Sequence, residues 1–179
     1  MSAAKAEFSQ HGIAEARIDR IAKTAKERVY AYFSSKVALH RFVSAQELAA
    51  VAEATRMDPT DLPGYAGRLH DYYIDHPDRF RLMSWGQLEL DAGDSLPNDT
   101  FRESLARKIE QLREAQEAGQ LDADWDPVDI LVFVHQIATA WVAQPDLQPP
   151  HDEDRARFLA ARRAAIVAAV ERLFPAAAN

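Results

Sequence analysis

The chain has no cysteine, which excludes disulfides and thiolate metal sites and is compatible with a reducing compartment. Long hydrophobic runs are also missing. The longest uninterrupted apolar stretches, such as "AAIVAAV", fall far short of the twenty or so residues needed to span a bilayer, and "MSAAKAEFSQHG" carries no apolar segment of signal-peptide length. A cytoplasmic protein is expected. Catalytic signatures are lacking too: there is no His-Glu-x-x-His, Gly-x-Gly-x-x-Gly, phosphate loop or Glu-x-x-His pair, so no enzyme activity and no cofactor is expected. The one candidate metal cluster, "HDYYIDH" with His70, Asp71, Asp75 and His76, is only partly aligned on a helix and is not read as a metal site.

What is present is a body large enough to bury a core, 179 residues at 47% hydrophobic content. The net charge of -7 is unevenly spread. Residues 1–50 hold eight Lys/Arg against five Asp/Glu, whereas residues 51–179 hold thirteen against twenty-three, which gives +3 and -10. Such a chain can meet a polyanion with one end while the other repels it.

Helical periodicity runs through almost every segment and no stretch alternates as a strand would, so the expected class is all-α. A first helix over about Ser2–Gln10 stops at Gly12, and a short second one carries Ile18, Ile21, Ala22 and Ala25 on one stripe. A long one follows Ser34 and Ser35 to about Arg56. The string "MDPTDLPGYAG" reads as a junction, since Pro59, Pro63, Gly64 and Gly67 disfavour helix interiors. Pro77 opens the next helix. "TFRESLARKIEQLREAQEAG" places Phe101, Leu105, Ile109 and Leu112 inward and ends at Gly119. The last two helices stand apart. "PVDILVFVHQIATAWVA" is apolar nearly all round, and the segment from Asp152 to Phe174 sets Ala161, Ala165, Ala168 and Ala169 between larger residues. This pair either completes the core or joins two copies as a four-helix bundle, and the homodimer is the expectation.

The stretch from Ala6 to Val43 is the most specific. "AEFSQHGIAEARIDRIAKTA" followed by "KERVYAYFSSKVALHRFV" resembles the DNA-binding head of the tetracycline-repressor (TetR) family, through Phe8, Gly12, Ile21, Ala22, Tyr30, Phe33, Lys36 and Leu39 in order. The resemblance implies a three-helix, helix-turn-helix head over residues 1–45. It also implies a helical ligand-binding and dimerisation body over 46–179. It further implies a homodimeric repressor that leaves a pseudo-palindromic DNA operator when a small molecule binds. Arg17, Lys26, Arg28, Tyr30, Tyr32 and Lys36 are the expected DNA-binding residues: Arg28 and Lys26 reach base edges or phosphate, Tyr30 and Tyr32 match phosphate-touching positions, and Lys36 opens a helix whose free N–H groups attract phosphate. Tyr72, Tyr73, Phe80, Met83, Trp85, Phe133 and His135 are the candidate effector lining.

One departure stands out. Ala25 is joined directly to Lys26, where the family inserts about three residues that form the turn. Uninterrupted, Ile18, Ile21, Ala22, Ala25, Val29 and Phe33 form a single stripe of one straight helix, which cannot place its second half in a major groove. Either the turn is deleted, leaving a dimeric helical ligand-binding or adaptor protein that has lost DNA binding, or turn residues are missing from the sequence as read. The intact pattern on both sides favours the second.

Overall fold

The structure is a computed structural model that describes residues 2–22, 30–90 and 99–175. Among these the chain is helical, with no strand: α1 Ser2–His11, α2 Ile18–Ala22, α3 Lys36–Ala54, α4 Leu62–Asp75, α5 Pro77–Glu89, α6 Asp99–Glu117, α7 Pro127–Thr139 and α8 Asp152–Leu173. Tyr30, Ala31 and Tyr32 are helical as well. The expectations at Ala25, Lys26, Glu27, Arg28 and Val29, and with them the turn at the Ala25–Lys26 junction, lie outside the described residues, as does the side chain of Phe101. No described helix is long and apolar enough to cross a membrane.

Packing divides the chain into two compact units. One, the head unit, holds residues 1–50 and 76–102; the other, the body unit, holds 51–75 and 103–179. The head unit therefore includes α5, a segment some thirty residues beyond the DNA-binding span read from the sequence, because α5 lies along α1 and contributes Leu82 to its core. That core is small: Ala4, Phe8, Ala16, Ile18, Leu39, Val43 and Leu82, with Ile21, Phe33 and Met83 against it. Phe8 is fully enclosed and meets the His40 ring edge-on at 5.2 Å. α1 ends because Gly12 takes φ 73° while its N–H still bonds the Phe8 carbonyl, the left-handed cap that glycine adopts without strain.

In the body unit α4 is the central element, packed on both α7 and α8. The helix begins earlier than the proline and glycine content of "MDPTDLPGYAG" suggests. Asp58 caps a short 3₁₀ turn at Pro59–Asp61, α4 follows from Leu62, and Pro63 falls in its first turn, where no N–H is needed. Gly67 sits inside α4 for a different reason: a Cβ there would lie 2.9 Å from the Arg163 guanidinium and 3.2 Å from Val167 of α8. Asp126 caps α7 by accepting from the Val128 N–H at 2.8 Å, with Pro127 as its first residue. Gly119, at φ 69°, closes α6.

α6 is rotated from the expected orientation. Leu112 and Ala115 are buried and Leu105 is 38% exposed, so the inward stripe passes through Lys108 rather than through Leu105. The row 108, 112, 115 is a helical face with a lysine at one end.

Candidate nucleic-acid interface and effector site

The head unit fastens its irregular segments with charged side chains. Glu89, at the end of α5, accepts from the Ile13 and Ala14 N–H groups at 2.7 Å each, immediately after α1 ends. Glu7 of α1 accepts from the Arg17 N–H at 3.0 Å and lies 3.5 Å from the Arg20 guanidinium. The Lys36 ammonium donates to the Ala14 carbonyl at 2.6 Å and the Ala16 carbonyl at 3.2 Å. Three charged groups thus hold the α1–α2 connection, and charge-assisted bonds of this kind are the stronger ones.

This places the expected DNA-binding residues unequally. Phe33 packs into the head core and against Phe42 at 5.3 Å, which leaves Tyr30 and Tyr32 outward, 47% and 83% exposed. Arg17 is exposed and pairs with Asp19 at 3.2 Å. Lys36 spends two of its donors on backbone carbonyls, so its first role is to pin the loop. The helix that it opens is capped by Ser35, whose hydroxyl accepts from the Ala38 N–H at 3.1 Å. Lys26 and Arg28 lie outside the described residues.

The seven candidate effector residues fall in different units. Phe80, Met83 and Trp85 are on α5 of the head unit, where Met83 packs against the head core. The body unit brings Tyr72, Tyr73 and His135 together, with ring centroids 5.7 Å apart for the tyrosine pair and 6.1 Å for Tyr73 and His135. Phe133 instead meets Trp125 at 5.9 Å and is 39% exposed.

Two residues that sequence reasoning missed complete this region. Lys108 donates to the Tyr65 hydroxyl at 3.0 Å, and Tyr65 is buried. Burial lowers the Lys108 ammonium below its usual range, and burial together with the Lys108 charge does the same to the His135 imidazole. The Tyr65 and Tyr73 hydroxyls are pushed up to about 12 by burial and stay protonated. α4 supplies the two tyrosines, α6 the lysine and α7 the histidine. No signal in "LARKIEQL" distinguishes Lys108 from the exposed Arg107 beside it; only the rotation of α6 does. Among the described residues no group of three or more His, Cys, Asp or Glu side chains comes together as a metal site, and His70 instead bonds the Ala138 carbonyl through Nδ1 at 3.2 Å.

Comparison with known proteins identifies the family. The family described as tetracyclin repressor-like, C-terminal domain, matches residues 61–172, more than half of the chain. The chain belongs to the TetR family of transcriptional regulators. It is 37% identical over 150 residues to the HTH-type transcriptional repressor SCO4008 of Streptomyces coelicolor, covering 82% of this chain and 78% of that protein. The solved structure of SCO4942 from Streptomyces coelicolor, a proposed transcriptional regulator, shares 48% identity and a TM-score of 0.78 over 97% of this chain and 95% of its own. The fatty acid degradation regulator FadR from Bacillus halodurans, 19% identical with a TM-score of 0.63 over 93% of this chain and 95% of its own, shares the fold. This TetR-family chain thus keeps the all-helical architecture of proteins with which it shares under a fifth of its residues.

Proposed function

We propose that this regulator is a homodimeric repressor that binds a pseudo-palindromic operator through its head units and is released when a small molecule occupies its body. The observation that carries the reading is the pairing of a pinned head with outward tyrosines. Glu89, Glu7 and Lys36 fix the backbone after α1, and Phe33 orients Tyr30 and Tyr32 away from the core. Tyr30, Tyr32 and Arg17 contact phosphates, Lys26 and Arg28 read base edges, and the positive end of the α3 dipole adds a phosphate contact. Two such heads require half-sites about 34–36 Å apart or a multiple of that.

The dimer forms through α7 and α8. Val128 and Val132, one turn apart on α7, are each 46% exposed, and Ala161, Ala165 and Ala169 form an exposed small-residue row on α8. Small side chains let two backbones approach, and exposed apolar rows on two long helices suit a four-helix bundle between copies. Release requires that the effector bind the DNA-incompetent state more tightly than the competent one.

The test is fluorescence anisotropy of labelled DNA from upstream of the gene, titrated at several salt concentrations. The proposed function requires specific binding whose log affinity falls with log salt at about -0.9 per phosphate neutralised. A stable dimer that binds none of that DNA at low salt would favour the adaptor reading suggested by the direct Ala25–Lys26 junction.

A further inference from the structure

Among the described residues of the body unit, Lys108 and Tyr65 form a part-buried donor set with too few acceptors. Lys108 has one hydrogen-bond partner among the described residues, the neutral Tyr65 hydroxyl, and no carboxylate pairs with it. Its other N–H groups have no acceptor there. Tyr65 uses its oxygen to accept from Lys108, so its own O–H proton remains to be donated, and no acceptor within the described residues takes it. A partly buried ammonium without a counter-charge is costly, and a unit rich in acidic residues had carboxylates to offer. Arg68, the other cation near Tyr65, is already engaged by Asp61 at 3.1 Å and the Arg56 carbonyl at 3.3 Å. Of these two cations, Lys108 is the one that no carboxylate among the described residues engages, which suits a monoanion better than a phosphate dianion. The Tyr73 and His135 rings, packed edge to face 6.1 Å apart, border the same region, where burial and the Lys108 charge both act on His135.

We propose that the effector is a small organic carboxylate with an apolar body, its carboxylate held by the Lys108 ammonium and the Tyr65 hydroxyl and its apolar part against the Tyr73 and His135 rings. The inference rests on the reading that the body takes an effector, and deepens it by naming the ligand's chemistry. A carboxylate accepts from both donors at once and neutralises the ammonium. The matching amide has the same shape and no charge. Binding should therefore separate acid from amide, and the separation should depend on Lys108.

The experiment uses the full chain with benzoate and octanoate, their amides, and sodium chloride at matched ionic strength, read by shifts in melting temperature and by calorimetric Kd. At least one carboxylate is expected to raise the melting temperature well beyond the chloride control, while its amide does not. Lys108→Met should weaken carboxylate binding by at least ~tenfold, and Lys108→Arg should keep most of it. If Lys108→Met fails to fold, Tyr65→Phe decides, by weakening the carboxylate and leaving the amide unchanged. Acid and amide binding alike, unaltered carboxylate binding in these variants, or no shift with either carboxylate would overturn the proposal. Operator binding is followed in parallel. Carboxylate binding without operator binding would sink the repressor reading and spare this one, and release of operator by the amides would do the reverse.

Discussion

The head and body units treat internal charge in opposite ways. In the head, charged side chains that turn inward find partners: Glu89 takes two N–H groups, Lys36 two carbonyls, and Lys5 and Arg79 converge on Glu47 at 3.6 and 2.7 Å. In the body, Lys108 enters the core stripe of α6 and, among the described residues, meets only a neutral phenol. Satisfied charges fix one conformation, which a surface that must register on DNA requires. A charge left short of partners costs stability until something supplies the counter-charge, which is what the proposed effector would do.

The largest expected effect tests whether the head depends on its small core. Phe8→Ala should cost about 3–5 kcal/mol in urea melts, because a fully enclosed ring leaves a cavity among few neighbours. DNA binding should be lost with it, and loss of carboxylate binding as well would show that the two units are not separable. Glu89→Ala should cost about 2–3 kcal/mol, since two N–H groups lose a charged acceptor; a change below half a kcal/mol by the same measurement would mean that solvent replaces it. Acid sharpens the comparison from the other side. Burial lowers the imidazoles of His40, His70 and His135 below 6.5. The unfolded chain then binds more protons than the folded one just below that value. Stability is therefore fully present above about pH 6.5 and lost progressively as pH falls through the folded values, which thermal melts between pH 5 and 8 would show. Alanine or glutamine at all three positions should flatten the profile.

The smallest effects concern the exposed head surface. Tyr32→Phe should leave stability unchanged and remove about 1 kcal/mol of operator affinity. Arg17→Ala should reduce the salt slope by about 1, whereas the tyrosine substitution should not alter it.

Much of the fold was legible in one dimension because helices announce themselves locally. Gly12 and Gly119 marked the ends of α1 and α6, Pro77 marked the start of α5, and the spacing of apolar residues gave the stripe of α2 through which Ile18 and Ile21 reach the head core. The ordered positions from Phe8 to Leu39 carried the family. Less of the effector region could be read. Of the candidate lining residues, Tyr73 and His135 come together in the body unit while Phe80, Met83 and Trp85 fall in the head unit, because periodicity says which face is apolar but not what covers it.

The sequence by itself determined an all-helical chain of two charge-segregated regions and its family, because capping, helical period and ordered motif positions act over a few residues. Only the tertiary structure decided that α5 closes the head core, that Glu89 and Lys36 hold a connection distant from them in sequence, and that α6 turns Lys108 inward and Leu105 outward. Each of those depends on which surfaces meet, and the free energy of burying one face against another is a property of the pair, carried by neither segment alone.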